Sequence, residues 1–169
     1  MSDVLILGAG RSVNKLVDYL QNHALALNIK LRIGDKDLAR AQKLSRKFIG
    51  ASFFQFDILQ DQIAAKEIPK ADLVISMLPS NLHGQVVLLC LEHSVRLITA
   101  SYNKPQIEQL HNKVKSKGLL FLMELGLDPG LDHMLAMKEI DSLKNEGCTI
   151  ESFESYTGGL VIPDEENPW

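Results

Sequence analysis

"VLILGAGRSVNKLVDYL", residues 4–20, decides the fold. An unbroken apolar run meets Gly8-Ala9-Gly10, and apolar residues then recur at helical spacing through Val13, Leu16, Val17 and Leu20. A buried parallel strand, a tight turn and an amphipathic helix give that pattern. Gly8 permits the turn. Gly10 leaves room for a phosphate to approach backbone N–H groups at the positive end of the helix. Val13 stands where the tightest form of this loop has a third glycine, so helix and strand are expected to lie slightly further apart.

The same alternation continues outward. "DVLILG" (3–8), "IKLRIGD" (29–35), "ASFFQFD" (51–57), "DLVISML" (72–78), "VRLIT" (95–99) and "LLFLMEL" (119–125) read as strands. Between them "RSVNKLVDYLQNHAL", "KDLARAQKLSRKF", "NLHGQVVLLCLEHS" and "KPQIEQLHNKVKSKG" have helical apolar spacing and charged outer faces. Segment 58–70 is the weakest, a turn or two before Pro69. The implied fold is α/β, a Rossmann-type doubly wound parallel sheet whose post-strand loops line one edge. Residues 1–130 form the expected dinucleotide domain. Beyond it, "LDHMLAMKEIDSLKNEG" reads as a helix ended by Gly147, and "CTIESFESYTGG" as a further strand. Residues 131–169 are thus expected to be a connecting helix and the first strand of a second, truncated α+β domain, because a lone strand needs a partner.

Composition narrows the class. At 46% hydrophobic and 23% charged the chain is globular, and a net charge of −3 gives no general attraction to nucleic acid or anionic lipid. No segment approaches a membrane span, and no leader-like stretch precedes the first strand. Cys90 and Cys148 lack the spacing of a zinc or redox motif, so a reducing cytoplasm is the expected compartment and no metal is expected.

Candidate site residues follow from strand ends. Gly8, Ala9, Gly10, Arg11 and Ser12 form the expected pyrophosphate loop. Asp35, ending the second strand, suits the ribose hydroxyls of NAD and repels a 2′-phosphate, while Lys36 and Arg40 soften that preference. NAD is therefore favoured over NADP. Asp57 either meets the adenine or caps a helix; Ile58, Leu78, Pro79, Leu127 and Pro129 complete the expected cofactor contacts. In "ELGLDPGLDHMLAM" (124–137), Gly126 and Gly130 are expected to let the backbone bend close to a ring, with Pro129 fixing the turn. Either Asp128 and Asp132 both cap the helix start, or one caps it while the other faces ligand, with Asp128 the candidate amine anchor or proton relay. His133 is expected to bond a backbone carbonyl, Glu124 to make a structural pair, and His83 either to fix its loop or to touch a ligand.

Together "VLILGAG", "DLVISMLPSNLHGQVV", "LITASY", "ELGLDPGLDHMLAMKEID" and "SFESYTGGLVIPDEENPW" resemble the saccharopine dehydrogenase family of the saccharopine reductase type. The resemblance implies NAD(P)-linked hydride transfer at a secondary amine, with glutamate and 2-aminoadipate 6-semialdehyde on one side and saccharopine on the other. It also implies substrate contacts at Ser101, Tyr102, Asp128, Thr157 and Gly158, a small amino-acid substrate, and a homodimer of the full-length enzyme. Thr157 departs from the family's usual cysteine, and Asp35-Lys36 departs from the non-acidic residue and arginine of NADP-dependent fungal members. The arginine that grips a substrate carboxylate in the second domain has no counterpart before residue 169. Two other readings stay open: a sister activity on carboxynorspermidine or lysine, and a dinucleotide-binding module without catalysis.

Overall fold

Leu5, Ile6 and Leu7 have no exposed surface because the strand that carries them lies in the middle of a sheet covered on both faces. The structure, a computed structural model, describes residues 1–156. Its strands are β1 (Ser2–Leu7), β2 (Ile29–Asp35), β3 (Ser52–Gln55), β4 (Leu73–Ser76), β5 (Arg96–Thr99) and β6 (Phe121–Leu122). They form one sheet in the order β3-β2-β1-β4-β5-β6, with every neighbouring pair parallel. This is the doubly wound arrangement expected from the alternation. The order reverses between β1 and β4, where the crossovers leave in opposite directions and a crevice opens beyond the strand ends.

The helices are α1 (Val13–Asn22), α2 (Ala24–Leu27), α3 (Leu38–Ser45), α4 (Asp61–Glu67), α5 (His83–Glu92), α6 (Pro105–Glu108), α7 (His111–Ser116) and α8 (Leu131–Asn145). Strand side chains alternate between faces, and β1 divides accordingly. Val4 and Ile6 pack with Val13 and Val17 of α1 and Leu44 of α3, whereas Leu5 and Leu7 pack with Ala64 of α4 and Val86, Val87 and Cys90 of α5. Val13, in the third-glycine position, has no exposed surface.

Several boundaries differ from the sequence pattern. The helix expected to run from 11 to 25 divides at His23, which leaves helical dihedrals (φ −110°, ψ 9°), and α2 ends on left-handed Asn28. The 104–118 helix likewise divides into α6 and α7. α4 and a 3₁₀ turn at Ile68–Lys70 match the short helix before Pro69. The sixth strand shrinks from the expected 119–125 to Phe121–Leu122. Before it, the Leu119 N–H donates back to Val114; after it, Glu124 turns to φ +63°, which interrupts the ladder although the Leu125 N–H still donates to Thr99 O.

Contacts divide the chain into two units, Met1–His133 and Met134 onward. In the second, α8 ends in paired capping bonds, Gly147 N–H to Lys144 O and Cys148 N–H to Leu143 O, with Gly147 at φ +82°. The strand expected from residue 148 does not form over residues 148–156; among the described residues no strand pairs with this segment. Thr157 and Gly158 lie outside the described residues. No described helix is long and apolar enough to cross a membrane.

Burial pushes the Cys90 thiol up to about 12, while Cys148 is exposed. A thiol reagent at neutral pH is therefore expected to label Cys148 and spare Cys90 until the chain is denatured. Labelling of Cys90 in the native state, read by peptide mass, counts against that packing.

Candidate active site

Gly8 is required by the chain's own packing. Its φ is +100°, its N–H donates to Gly34 O at 2.8 Å, and a Cβ there would fall 2.8 Å from Met77 O. Gly10 is different, since a Cβ would meet nothing within 4 Å. It faces a cleft of about 690 Å³ lined also by Arg11, Ser12, Asn14, Arg40 and Lys43. Ser12 precedes α1 without a side-chain cap bond, and α1 carries no acidic residue in its first turn. Among the described residues the Gly10, Arg11 and Ser12 N–H groups donate to no protein acceptor. Unbonded N–H groups, the positive end of a ten-residue helix and an open glycine face together fit a pyrophosphate.

Around the loop, charges are tied in a definite pattern. Asp35 Oδ2 accepts the Ala9 N–H at 2.5 Å and Oδ1 accepts the Asp37 N–H at 2.7 Å, so this carboxylate braces the glycine turn from the end of β2. Lys36 reaches Asp57 at 3.6 Å, and Asp57 also accepts the Leu59 N–H at 3.1 Å, which closes a turn ahead of α4 and does not cap that helix, whose start at Gln60 has no side-chain cap. Ile58 does not present its side chain to a ligand: it is 2% exposed and packs in the core, because the chain turns inward after Asp57. Leu78 is half-buried and Pro79 exposed in the loop after β4. Lys43 joins Arg40 in the cleft and was missed from sequence; its place one helical turn after Arg40 was the available signal.

Beyond β5 and β6 a second cluster forms. The Ser101 N–H donates to Thr99 Oγ1 at 3.1 Å, and the Glu124 N–H donates to Ser101 O at 3.1 Å. The exposed Tyr102 hydroxyl donates to Asp128 Oδ1 at 2.9 Å, and that bond holds its pKa above the ordinary tyrosine value. Glu124 accepts the Asn103 N–H at 2.9 Å, a structural pairing. Ser101, Tyr102 and Asp128 thus meet at the sheet edge where the glycine loop also lies, since all six strands point the same way.

The glycines of the 124–137 stretch are required by the chain's own backbone. A Cβ on Gly126 would lie 2.6 Å from Ala100 O, and one on Gly130 (φ +142°) would lie 2.5 Å from Gly126 O. They are demanded by the backbone's own crossing, in which the Gly126 N–H donates to Pro129 O and the Leu131 N–H to Gly126 O. This crossing buries Pro129 and turns Leu127 outward at 75% exposure. Asp132 Oδ1 accepts the Gly130 N–H at 2.8 Å at the start of α8, leaving Asp128 as the outward carboxylate. His133 bonds a carboxylate and not a backbone carbonyl: its Nδ1 lies 2.8 Å from Asp132 Oδ1, the side chain adjacent to it in sequence. That pairing raises the His133 pKa and lowers that of Asp132.

His83 is buried between two serine hydroxyls. At 2% exposure it lies with Nδ1 2.9 Å from Ser76 Oγ and Nε2 2.9 Å from Ser101 Oγ. Burial, then the neighbouring Lys104 charge, lowers its pKa. Ser76 was not foreseen; a lone hydroxyl inside the apolar "LVISML" was its only signal. Among the described residues no cluster of histidine, cysteine and carboxylate side chains could hold a metal.

Comparison with known proteins places the fold in a family. Residues 4–122 match the saccharopine dehydrogenase NADP binding domain and residues 126–169 the saccharopine dehydrogenase C-terminal domain. Rat mitochondrial alpha-aminoadipic semialdehyde synthase is 40% identical over 98% of this chain, which spans 18% of that protein. Saccharopine dehydrogenase [NADP(+), L-glutamate-forming] of Saccharomyces cerevisiae is 34% identical over 98% of this chain, which spans 36% of it. The solved apo structure of the L-Glu-forming saccharopine dehydrogenase from Saccharomyces cerevisiae superimposes with a TM-score of 0.75 at 30% identity, covering 87% of this chain and 32% of that one. A 3-ketoreductase from Actinomadura kijaniata, at 18% identity and a TM-score of 0.64, shares the fold alone. The chain belongs to the saccharopine dehydrogenase family.

Proposed function

We propose that this chain is the dinucleotide-binding part of an oxidoreductase that acts on the C–N bond of saccharopine in lysine metabolism. The observation that carries the reading is the Tyr102–Asp128 pair standing on the same sheet edge as an uncapped, glycine-opened helix start. Oxidation removes a hydride from carbon and a proton from nitrogen; water then divides the imine into glutamate and 2-aminoadipate 6-semialdehyde. A bound nicotinamide dinucleotide supplies the hydride acceptor, or the donor in the reverse direction. Gly10, Arg11 and Ser12 hold its pyrophosphate by backbone N–H groups. Asp128 accepts a hydrogen bond from the substrate amine and takes its proton, while Tyr102 holds the carboxylate in place.

The cofactor is a nicotinamide dinucleotide; NAD in particular rests on Asp35 alone. The matching family domain is NADP-binding and the yeast relative is named for NADP(+), which does not favour NAD. Arg11, Arg40 and Lys43 around the cleft support a 2′-phosphate, and Asp35 opposes it. Asp35→Asn keeps an acceptor for the loop but loses its charge. If Asp35 reads the ribose, NAD binding weakens by roughly ten- to a hundredfold and NADP binding does not weaken, both read by fluorescence titration. Equal losses for both cofactors would show that Asp35 only braces the loop.

The activity test uses the complete gene product with saccharopine and either cofactor, following reduced cofactor and glutamate together. Turnover of carboxynorspermidine or lysine instead would assign a sister activity, and dinucleotide binding without turnover a non-catalytic module. A reducing compartment is part of the reading, supported by the unpaired Cys90 and Cys148. Mammalian relatives are named as mitochondrial, so cell fractionation chooses between matrix and cytoplasm.

A further inference from the structure

We propose that His83 is a positioning residue that sets the direction of the Ser76–His83–Ser101 chain, so that Ser101 donates its hydroxyl proton to an oxygen of the bound ligand. The ligand's identity as an amino acid, and hence the oxygen as a carboxylate, rests on the function proposed above.

The argument is one of hydrogen accounting in a buried place. Ser76, the last residue of β4, has no exposed surface, and among the described residues its hydroxyl has one partner, His83 Nδ1 at 2.9 Å. If Nδ1 carried the hydrogen it would donate to Ser76, and the Ser76 proton would then be buried without an acceptor. A buried donor left unpaired loses its whole interaction with water. With Nδ1 as the acceptor, Ser76 donates and its buried proton is paired. A neutral imidazole that accepts at one nitrogen carries its hydrogen on the other. That hydrogen, on Nε2, points to Ser101 Oγ at 2.9 Å. Ser101 is thereby supplied as an acceptor from behind, and its own proton is left for whatever stands in front of it.

Nearby structure keeps this arrangement fixed. Ser101 is pinned through its N–H to Thr99 Oγ1 and through its carbonyl to the Glu124 N–H. Burial and the Lys104 charge both disfavour the imidazolium, which would need an acceptor at each nitrogen. Ser101 lies next to Tyr102, so a donor and the outward Asp128 carboxylate stand on the same loop cluster. The pattern suits a zwitterionic amino acid: an oxygen anion taken by Ser101 and an ammonium taken by Asp128.

Two measurements test it. In the 169-residue chain labelled with ¹⁵N-histidine, long-range proton–nitrogen spectra identify the tautomer of each ring, with His83 assigned by the signal lost in His83→Gln. A neutral ring with hydrogen on Nε2 is expected, protonating only below the ordinary histidine range because burial disfavours its charge; hydrogen on Nδ1 of the neutral ring overturns the proposal. The second uses the complete gene product and saccharopine. His83→Asn retains a partner for Ser76 but loses the donor toward Ser101, whereas His83→Gln keeps an N–H there. Ser101→Ala and His83→Asn are each expected to raise KM about three- to tenfold with a smaller change in kcat. The double variant should be no worse than either single one, and His83→Gln should recover most of the loss. Additive losses, or losses that follow only the melting temperature, overturn the assignment. Should the complete protein leave saccharopine untouched, the function reading falls alone and the tautomer spectrum still decides the direction of the chain.

Discussion

Asp128→Asn in the complete protein is expected to lower kcat for saccharopine oxidation by about a hundredfold or more, with the fold and the dinucleotide affinity intact. The substitution is nearly isosteric. Asparagine still offers an oxygen to the Tyr102 hydroxyl, so the 2.9 Å contact survives. What goes is the negative charge and the ability to take a proton, and positioned acid–base groups contribute roughly 10²–10⁴ in rate. Asp128 is exposed, and the bend that carries it is held by Gly126, Pro129 and Leu131 backbone bonds in which its side chain has no part. The melting temperature should therefore stay put. Tyr102→Phe removes only the holding bond and is expected to lower kcat less, with Asp128 still present. The reading fails if Asp128→Asn retains full kcat, or if Asp132→Asn, which alters the helix-start carboxylate instead, has the larger effect on rate at unchanged stability.

The sheet was legible because its central strands are buried on both faces, so their apolar runs are continuous and unlike those of any exposed segment. β1, β2 and β4 came close to their expected limits for that reason. β6 did not. Its sequence "LLFLMEL" has the same look, but at the sheet's edge only β5 pairs with it, and Glu124 turns away to meet Asn103. Local pattern carries burial; it does not carry where the next loop pulls the chain. The site divides similarly. The glycine loop is read from adjacent residues, since turn and helix start are local chemistry. The Ser76–His83–Ser101 chain joins the end of β4, the start of α5 and the loop after β5, and only the crossover topology brings those together. Gly126 and Gly130 stand out in the sequence, but the crowding atom is the carbonyl of Ala100 or of Gly126 itself, invisible without the fold.

Arg32→Ala is expected to cost about 3 kcal/mol of folding stability, read by urea unfolding with an unchanged slope. Arg32 sits in β2 at 6% exposure, in a strand that otherwise reads as apolar core. Its Nε reaches Asp3 on β1 at 2.6 Å, and its other nitrogens reach the Glu67 carboxylate at 3.0 Å and the Glu67 carbonyl at 3.1 Å at the end of α4. One side chain thus ties two strands to a helix terminus. Removing it leaves two partly buried carboxylates facing a cavity, which is the costly way to break an enclosed ion pair. The loss should sit at the lower end of the usual 3–5 kcal/mol because Asp3 keeps Lys30 at 3.8 Å and Glu67 keeps Lys70 at 2.7 Å. A matched replacement separates charge from packing. Arg32→Met alone restores the volume but not the pairing, while Arg32→Met with Asp3→Asn and Glu67→Gln removes the stranded charges as well. If the cost is electrostatic, the triple variant regains most of the stability lost by Arg32→Ala and Arg32→Met alone regains little. Full recovery by methionine alone would mean that Arg32 matters here as a filler of space.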